Sequence, residues 1–198
     1  SIATKQGQHG PVIAGVSTIN STGCMKIPSG PTEHRGGRGR GVFGTGYNNA
    51  PNSSLNSMQY VTIATTGNTT DFGDLLVKGG RSSGNCSSNT RGVFSLSNYP
   101  SSDNITIEFV TIASTGNALD FGDHVSAATT KGVLSDTIRG LFYGGFSPSI
   151  SGTYVNSVDQ ITIATTGNAV DWGDIQLSTG SGRGAYASGN SDSHGGLP

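Results

Sequence analysis

The chain has 198 residues, which is long enough to bury a substantial core either as one domain or as a short array of units. Charged residues make up only 12% and the net charge is -1, which excludes the broad positive field that draws proteins to nucleic acid or acidic lipid. Glycine accounts for 32 residues, more than twice the usual share of about 7%, whereas hydrophobic residues make up only 32%, so we expect many tight turns and neighbouring units that share a core.

Residues 1–35 differ in pattern from the rest and form a predicted N-terminal arm. The apolar segment 11–19 predicts a strand before a turn, and Pro28 and Pro31 stiffen the connection that follows. Two interpretations stay open: residues 16–23 are a degenerate copy of the repeat that follows, or the arm is a tether that docks on a larger assembly. The start lacks the apolar core of a signal peptide, and no apolar run approaches the roughly 20 residues that cross a bilayer, so we expect no membrane insertion.

Residues 36–198 carry a repeat whose units begin with Arg-Gly and a short β-branched or aromatic run, bounded by Gly, Ser and Asn as strands are. The four arginines are Arg40, Arg91, Arg139 and Arg183. They could line a polyanion site, but internal pairing through the planar guanidinium, for instance with a repeat aspartate, is the favoured interpretation. The glycine-rich segment 34–41 holds only three arginines, too few to indicate nucleic-acid binding.

A loop of variable length follows each arginine strand, as at 48–56 and 147–156. Its Pro, Ser, Asn and Gly content indicates a surface connection, and the differences between units are where specificity for a ligand or receptor would lie. Aromatic side chains in or beside these loops are therefore the candidates for ligand or receptor contact: Tyr47, Tyr99, Phe146 and Tyr154.

An alternating strand then leads into the block Thr-Ile-Ala-(Thr/Ser)-Thr-Gly-Asn-x-x-Asp-(Phe/Trp)-Gly-Asp, which occurs at 62–74, 111–123 and 162–174. The Thr-Gly glycines lie 49 and then 51 residues apart, and such a period signals an array of like units. The Thr-Gly-Asn turn folds the chain back, and the next strand carries a large aromatic that can anchor contact between units. These aromatics are Phe72, Phe121 and Trp172. A fourth strand is either the aliphatic segment after the block, 75–77 in the first unit, or the Ser-rich piece before the next arginine.

The block also repeats a pair of aspartates, at Asp71 and Asp74, Asp120 and Asp123, and Asp171 and Asp174. Each pair could bind Ca²⁺ together with turn carbonyls, but repetition with the fold favours a structural role in which the first aspartate accepts backbone N–H bonds. Asp-Phe-Gly without a lysine strand or a His-Arg-Asp loop excludes a kinase. The four histidines stand at unrelated positions and indicate neither a metal triad nor a Ser-His-Asp constellation, so we expect no enzyme activity and no cofactor.

The third unit has the fullest pattern: an apolar strand ending in a glycine pair at 141–145, a variable loop, an Asn-containing strand start at 156–161, then Trp172 and Ile175. This order resembles a kelch-type β-propeller blade. The first two units lack the glycine pair and have phenylalanine in place of tryptophan. The Arg-Gly-Val-Phe strand together with the long block resembles more closely the kelch-like repeats in virion proteins of marine tailed phages, including cyanophages, over about residues 40–198.

The resemblance implies an all-β fold of kelch-like, propeller-type repeats, with antiparallel four-stranded blades of about 50 residues. We place three full units at about 40–90, 91–138 and 139–182, followed by a partial fourth at 183–198. The resemblance also implies a non-enzymatic virion structural protein on the particle surface, tail-fibre-like or a capsid decoration, that acts in host attachment or particle assembly. The alternative is a glycan-binding adhesion module that uses the variable loops.

The expected partners are other virion proteins through the N-terminal arm, a cell-surface glycan or receptor, and further copies of the chain. Three full units need a device to close a propeller. One is a composite fourth blade that pairs residues 183–189 with 12–23, which would also cover two sheet edges, and the rival is a homotrimer or larger assembly. Cys24 and Cys86 can form one bridge or none, and free thiols are favoured.

Overall fold

A computed structural model of the chain describes residues 18–19, 25–26, 39–48, 53–79, 84–96, 105–147 and 153–176. The chain divides into two compact units, Ser1–Arg35 and Gly36–Pro198. In the first unit, β1 (Thr18–Ile19) pairs antiparallel with β2 (Met25–Lys26). The described residues are all-β, as the sequence predicts, and they contain no helix long and apolar enough to cross a membrane.

The described residues of the second unit form three antiparallel sheets of three or four strands, one for each copy of the repeated block, besides one two-stranded hairpin. Sheet A consists of β3 (Arg40–Asn48), β4 (Ser53–Thr62) and β5 (Thr70–Gly79). Sheet B consists of β6 (Asn85–Ser87), β7 (Arg91–Ser95), β8 (Thr106–Thr111) and β9 (Leu119–Asp123). Sheet C consists of β10 (Gly132–Ser135), β11 (Arg139–Tyr143), β14 (Ser157–Thr162) and β15 (Val170–Asp174). Between β11 and β14, β12 (Phe146–Ser147) and β13 (Thr153–Tyr154) form a separate hairpin.

The strand before Arg91 pairs with the strand that begins at Arg91, and the same holds for Arg139. Cys86 of β6 lies opposite Val93 of β7, and Val133 of β10 lies opposite Phe142 of β11. Of the two candidates for the fourth strand, the Ser-rich piece before the next arginine is therefore the correct one, and it belongs to the following sheet. The aliphatic segment 75–77 is a continuation of β5.

The hydrophobic core lies between successive sheets. Phe72 of sheet A belongs to one buried cluster with Phe94 of sheet B, and Phe121 of sheet B belongs to a second cluster with Phe142 of sheet C. The low hydrophobic content predicts this arrangement, because a single sheet has too few apolar side chains to bury both faces. The prediction that neighbouring units share a core is confirmed.

Each of the three sheets is open, and the described strands do not pair sheet A with sheet C. The antiparallel all-β class is thus observed, whereas closure into a propeller stays a prediction. Of the composite blade, residues 183–189 lie outside the described residues, and of residues 12–23 only Thr18–Ile19 is described, which pairs with Met25–Lys26.

Candidate functional site

The repeated block forms the joint between successive sheets. At the joint of sheets A and B, the turn of B lies along β5: Gly116 N donates to Phe72 O at 2.7 Å, and Ala118 N donates to Asp74 O at 2.9 Å. The side chain of Asn117 returns a bond, because its Oδ1 accepts from Asp74 N at 3.0 Å. The same three bonds, at 2.7–3.1 Å, recur at the joint of sheets B and C between Gly167, Asn168 and Ala169 on one side and Phe121 and Asp123 on the other.

The glycine after the aromatic is required by this close approach. Gly73 and Gly122 adopt φ of 138° and 142°, a region that residues with a side chain rarely occupy. A Cβ on Gly73 would collide with the carbonyl of Gly116, and a Cβ on Gly122 would collide with that of Gly167. The glycine of the Asp-aromatic-Gly-Asp motif is therefore explained, in the first two copies, by backbone contact between sheets.

Two of the three aromatic anchors are buried at the joints. Phe72 and Phe121 are each 2% exposed, and each packs edge to face on an aromatic of its own sheet at a centroid separation of 5.9 Å. Trp172, at the equivalent position of sheet C, is 60% exposed. The third anchor thus has the chemistry of the other two without their burial.

The repeat arginines cross the same joints. The guanidinium of Arg40 lies 4.6 Å over the ring of Tyr60 in its own sheet and donates to the carbonyl of Ile112 in sheet B at 3.2 Å. In the next joint Arg91 lies 4.6 Å over Phe109 and donates to Ile163 O at 3.1 Å. Each arginine therefore ties its sheet to the following one through a ring and a carbonyl.

The predicted pairing of these arginines with a repeat aspartate is not what the described residues show. In sheet B, Arg91 lies opposite Thr111 while Asp123 lies opposite Thr106, so the two charges stand at opposite ends of β8. The register of the sheet therefore separates them. Arg139 is 57% exposed and forms an ion pair with Asp136, three residues away, at 3.4 Å. Arg183 lies outside the described residues.

An acid in the middle of an apolar strand is a joint residue that the sequence interpretation missed. Glu108 of β8 is fully buried, and its carboxylate accepts the amides of Leu76 at 2.8 Å and Val77 at 2.9 Å from β5. Burial raises the pKa of Glu108 above its ordinary value, although these two hydrogen bonds oppose the shift. The equivalent residue is Asp159 in sheet C and the exposed Gln59 in sheet A. An acid therefore occupies this position in the two sheets that follow another sheet.

The joint of sheets B and C encloses four polar side chains in contact. Ser95 Oγ lies 2.8 Å from His124 Nε2, His124 Nδ1 lies 3.2 Å from Asp159 Oδ2, and Lys131 Nζ donates to that same oxygen at 2.6 Å. These contacts follow the order of a Ser-His-Asp triad, a constellation that the scattered histidines did not indicate. The only available signal is the substitution at position 124, where the first unit has Leu75 and the third has Ile175.

Burial makes this cluster unsuited to nucleophilic catalysis. Ser95 is 4% exposed, and the side chains of His124 and Asp159 are both 0% exposed, so a substrate cannot reach the hydroxyl. The approach of Nδ1 to Asp159 is also not aligned as a hydrogen bond, although its length is that of an ion pair. A triad needs that bond to orient the imidazole. The geometry is that of a polar lock between two sheets.

The protonation states of the cluster follow from burial and from one another. Burial lowers the pKa of His124 to about 4, so the imidazole is neutral at pH 7. Burial opposes ionisation of Asp159, but its contact with His124 and the charge and hydrogen bond of Lys131 keep its pKa below the ordinary value. Burial lowers the pKa of Lys131, and Asp159 counters that shift. The lock is thus an ion pair beside a neutral imidazole, whose ring packs edge to face on Phe142 at 4.8 Å.

The paired aspartates of the block do not assemble into a metal site within the described residues. There, no group of three or more His, Cys, Asp or Glu side chains is placed to hold an ion. Asp171 Oδ1 accepts the amide of Gly173 at 3.0 Å, which is the backbone role favoured for the first aspartate of a pair. Asp74 and Asp123 contribute their main-chain groups to the joints.

Cys86 is a free thiol in the core between sheets B and C. Burial raises its pKa to about 12, so the thiol stays protonated and unreactive at neutral pH. Cys24 lies outside the described residues.

Two of the four loop aromatics lie together. Phe146 and Tyr154 are opposite one another in the β12–β13 hairpin, with ring centroids 5.3 Å apart, and Tyr154 is 38% exposed. The hairpin is fixed by reciprocal backbone bonds between Phe146 and Thr129 at 2.8 and 2.9 Å. Tyr99 lies outside the described residues, as does the side chain of Tyr47.

A shallow depression of about 210 Å³ lies at the joint of sheets A and B, lined by Phe109, Ser114, Thr115 and Leu119 among others. Ligand pockets commonly enclose roughly 300–1,000 Å³, so this depression is too small to bury a ligand of ordinary size. No protein-family model matches the sequence, and a search of the curated proteins finds no similar chain. The kelch-like resemblance therefore rests on the sequence motifs alone.

Proposed function

We propose that the chain is a non-enzymatic structural protein of a tailed-phage particle, exposed on its surface as a tail-fibre-like part or a capsid decoration. It acts there in host attachment or particle assembly, and its N-terminal arm binds other virion proteins. The observation that carries this proposal is the use of the repeated residues. At the joint of sheets A and B and at that of sheets B and C, the turn, the aromatic, the glycine and the arginine are engaged in joining sheets, and there none of them is left for chemistry on a substrate.

The non-enzymatic part of the proposal is supported by the polar lock. Ser95, His124 and Asp159 are the residues with the best contacts for nucleophilic catalysis in the described part of the chain, yet they lie inside a joint. A nucleophile must lie within about 3 Å of a reacting atom, which a side chain sealed between two sheets cannot do. The cluster stabilises the array instead.

The attachment role is supported by the difference between units. The blocks are alike, whereas the loops after the arginine strands differ in length and sequence, and in sheet C the loop carries the β12–β13 hairpin with Tyr154 exposed. Surface loops on a rigid scaffold can change without loss of the fold. A scaffold of this kind suits a protein whose binding surface must change in sequence when its receptor changes.

Particle composition tests the proposal. Particles of a tailed phage that encodes the chain are purified by density gradient, analysed by mass spectrometry and labelled with antibody against the chain for electron microscopy. We expect the chain in intact particles and the label on their outer surface, with labelling abolished when the antibody is pre-adsorbed to purified chain. If the chain is abundant in infected cells but missing from purified particles, the proposed function is wrong.

The second candidate function is a glycan-binding adhesion module, favoured by the Phe146–Tyr154 hairpin. Aromatic faces pack well against flat apolar surfaces, and here two rings lie 5.3 Å apart, of which Tyr154 is 38% exposed and Phe146 is half-buried. Glycan arrays compare the unaltered chain with Tyr154→Ala and with a control, Leu119→Ala, which removes an exposed apolar side chain from sheet B. We expect binding that the first variant loses and the control keeps. Absence of binding by the unaltered chain refutes this candidate and leaves the structural role.

A further inference from the structure

The two joints are built from one set of contacts. The residues that form each side of such a joint have equivalents at one end of the array, where they are exposed. The head face consists of Phe43, Ile63, Gly67, Asn68 and Thr69 of sheet A, and it corresponds to the surface by which sheets B and C meet the preceding sheet. The tail face consists of Arg139, Trp172, Gly173 and Asp174 of sheet C, and it corresponds to the surface by which sheets A and B meet the following sheet.

The head face exposes apolar side chains that are buried in both joints. Ile63 is 72% exposed, whereas its equivalents Ile112 and Ile163 are 8% and 0% exposed. Phe43 is 57% exposed, whereas its equivalents Phe94 and Phe142 are 3% and 0% exposed. The sequence of sheet A thus keeps the apolar residues of a joint at a surface where the described residues form none.

The tail face shows the same mismatch from the other side. Trp172 is 60% exposed where Phe72 and Phe121 are 2% exposed. Gly173 keeps the φ of 141° that the joints use, yet within the described chain nothing lies within 4 Å of the Cβ it lacks. The side chain of Arg139 is also 57% exposed instead of reaching the carbonyl of a following sheet.

We propose that the head face of one copy of the chain docks on the tail face of a second copy and reproduces the joint between chains. The backbone of β15 then accepts the amides of the Thr-Gly-Asn turn, as β5 and β9 do within one chain. The expected bonds are Gly67 N to Trp172 O, Thr69 N to Asp174 O, Asp174 N to Asn68 Oδ1, and Arg139 to Ile63 O. The inference goes beyond the virion role and does not depend on it.

Because the two faces differ, this contact is heterologous, and it joins copies head to tail. The joint between chains is weaker than those within the chain for two reasons. Thr69 stands where Ala118 and Ala169 are buried, and its hydroxyl donates to Gln59 at 2.6 Å. Trp172 is larger than its equivalents Phe72 and Phe121 in the two joints, and overfilling a packed site is destabilising. Assembly should therefore depend on concentration.

Sedimentation velocity of the full chain over a wide range of concentration tests the proposal. We expect monomer at low concentration and larger species at high concentration. Ile63→Lys alters only the head face and Trp172→Lys only the tail face, and both side chains are exposed in the single chain, so folding should be retained and verified by circular dichroism. Each variant should remain monomeric at every concentration. Leu119→Lys, which is 60% exposed outside both faces, should assemble like the unaltered chain.

Mixing the two variants tests the direction of the contact. Trp172→Lys keeps an intact head face and Ile63→Lys an intact tail face, so an equimolar mixture should form a species of two chains and no larger one. Three results overturn the inference. The first is an unaltered chain that stays monomeric, whether its own terminal segments cover the two faces or the faces stay free. The second is an Ile63→Lys variant that assembles normally through a tail-to-tail contact, and the third is a mixture that stays monomeric.

Discussion

Alanine at Gly122 and at Gly173 separates the effect of the joint from the effect of the backbone. The two glycines have almost the same φ, 142° and 141°, so a side chain strains the backbone equally at both. Such a conformation costs about 1–3 kcal/mol for a residue other than glycine. Only at Gly122 does the added Cβ meet another sheet, because it collides with the carbonyl of Gly167.

Relief of that collision requires the turn of sheet C to move away from β9. The movement breaks the bonds from Gly167 N to Phe121 O at 2.7 Å and from Ala169 N to Asp123 O at 2.8 Å. Each hydrogen bond contributes about 1 kcal/mol to stability. We therefore expect Gly122→Ala to lower the free energy of unfolding by about 2 kcal/mol more than Gly173→Ala does.

Urea unfolding followed by circular dichroism measures both variants, at a concentration where sedimentation shows single chains. The unaltered chain provides the reference, and equal slopes of free energy against urea show that the same surface unfolds in all three proteins. Equal destabilisation by the two substitutions would refute the reasoning, since backbone strain alone would then account for both and the joint would contribute nothing.

Three further predictions concern the polar lock and the arginines. Asp159→Ala leaves the ammonium of Lys131 buried without a partner, and we expect urea titration to show a loss of about 3–5 kcal/mol; a loss under 1 kcal/mol would mean that the charge reaches water. The folded pKa of His124, about 4, lies below its unfolded value of 6.5, so the folded state binds fewer protons than the unfolded state between these pH values. The free energy of unfolding should therefore rise by about 3 kcal/mol from pH 4 to pH 7. Unfolding of His124→Asn measured over the same range should lack that rise, and an unchanged pH dependence would contradict the assignment. Arg91→Lys removes a stacked, hydrogen-bonded guanidinium and should lower the free energy of unfolding by about 1–2 kcal/mol in thermal or urea unfolding. Arg139 is exposed in a single chain, so Arg139→Lys should change that free energy by under about 0.5 kcal/mol. Equal effects of the two substitutions would count against the role of Arg91 in the joint.

The antiparallel β-class and the shared core could be predicted because both follow from local pattern. Short alternating strands between glycine-rich turns specify antiparallel sheets, and the scarcity of apolar residues requires packing between sheets. The aromatic at Phe72 and Phe121 was also predictable as an anchor between units, since a large side chain recurs there with the period of the array.

Partners across a joint could not be predicted, because they depend on the register between two sheets. Nothing in the sequence near Arg91 indicates that its guanidinium reaches Ile163. The sequence suggests Asp123 as a partner instead, but the register of sheet B places Asp123 at the far end of β8. The polar lock is harder still, since His124 and Asp159 come from different sheets. Its one local signal, an ionisable residue at an aliphatic position of the repeat, gives no indication of what it contacts.

The strand before Arg91 illustrates the same limit at the level of the fold. Asn85–Ser87 follows the first copy of the block in sequence, yet it pairs with β7 and belongs to the second sheet. Strand propensity identifies such a segment but does not choose between two neighbouring sheets as its partner.

The claim that the repeated block is the joint between sheets is tested most directly by amide hydrogen exchange at its three equivalent glycines, at a concentration where the chain is monomeric. The amides of Gly116 and Gly167 each donate at 2.7 Å to the preceding sheet, whereas no described residue accepts the amide of Gly67. The account predicts slow exchange at Gly116 and Gly167 and fast exchange at Gly67. Equal exchange rates at all three glycines would contradict it, because the turn would then behave alike with and without a sheet before it.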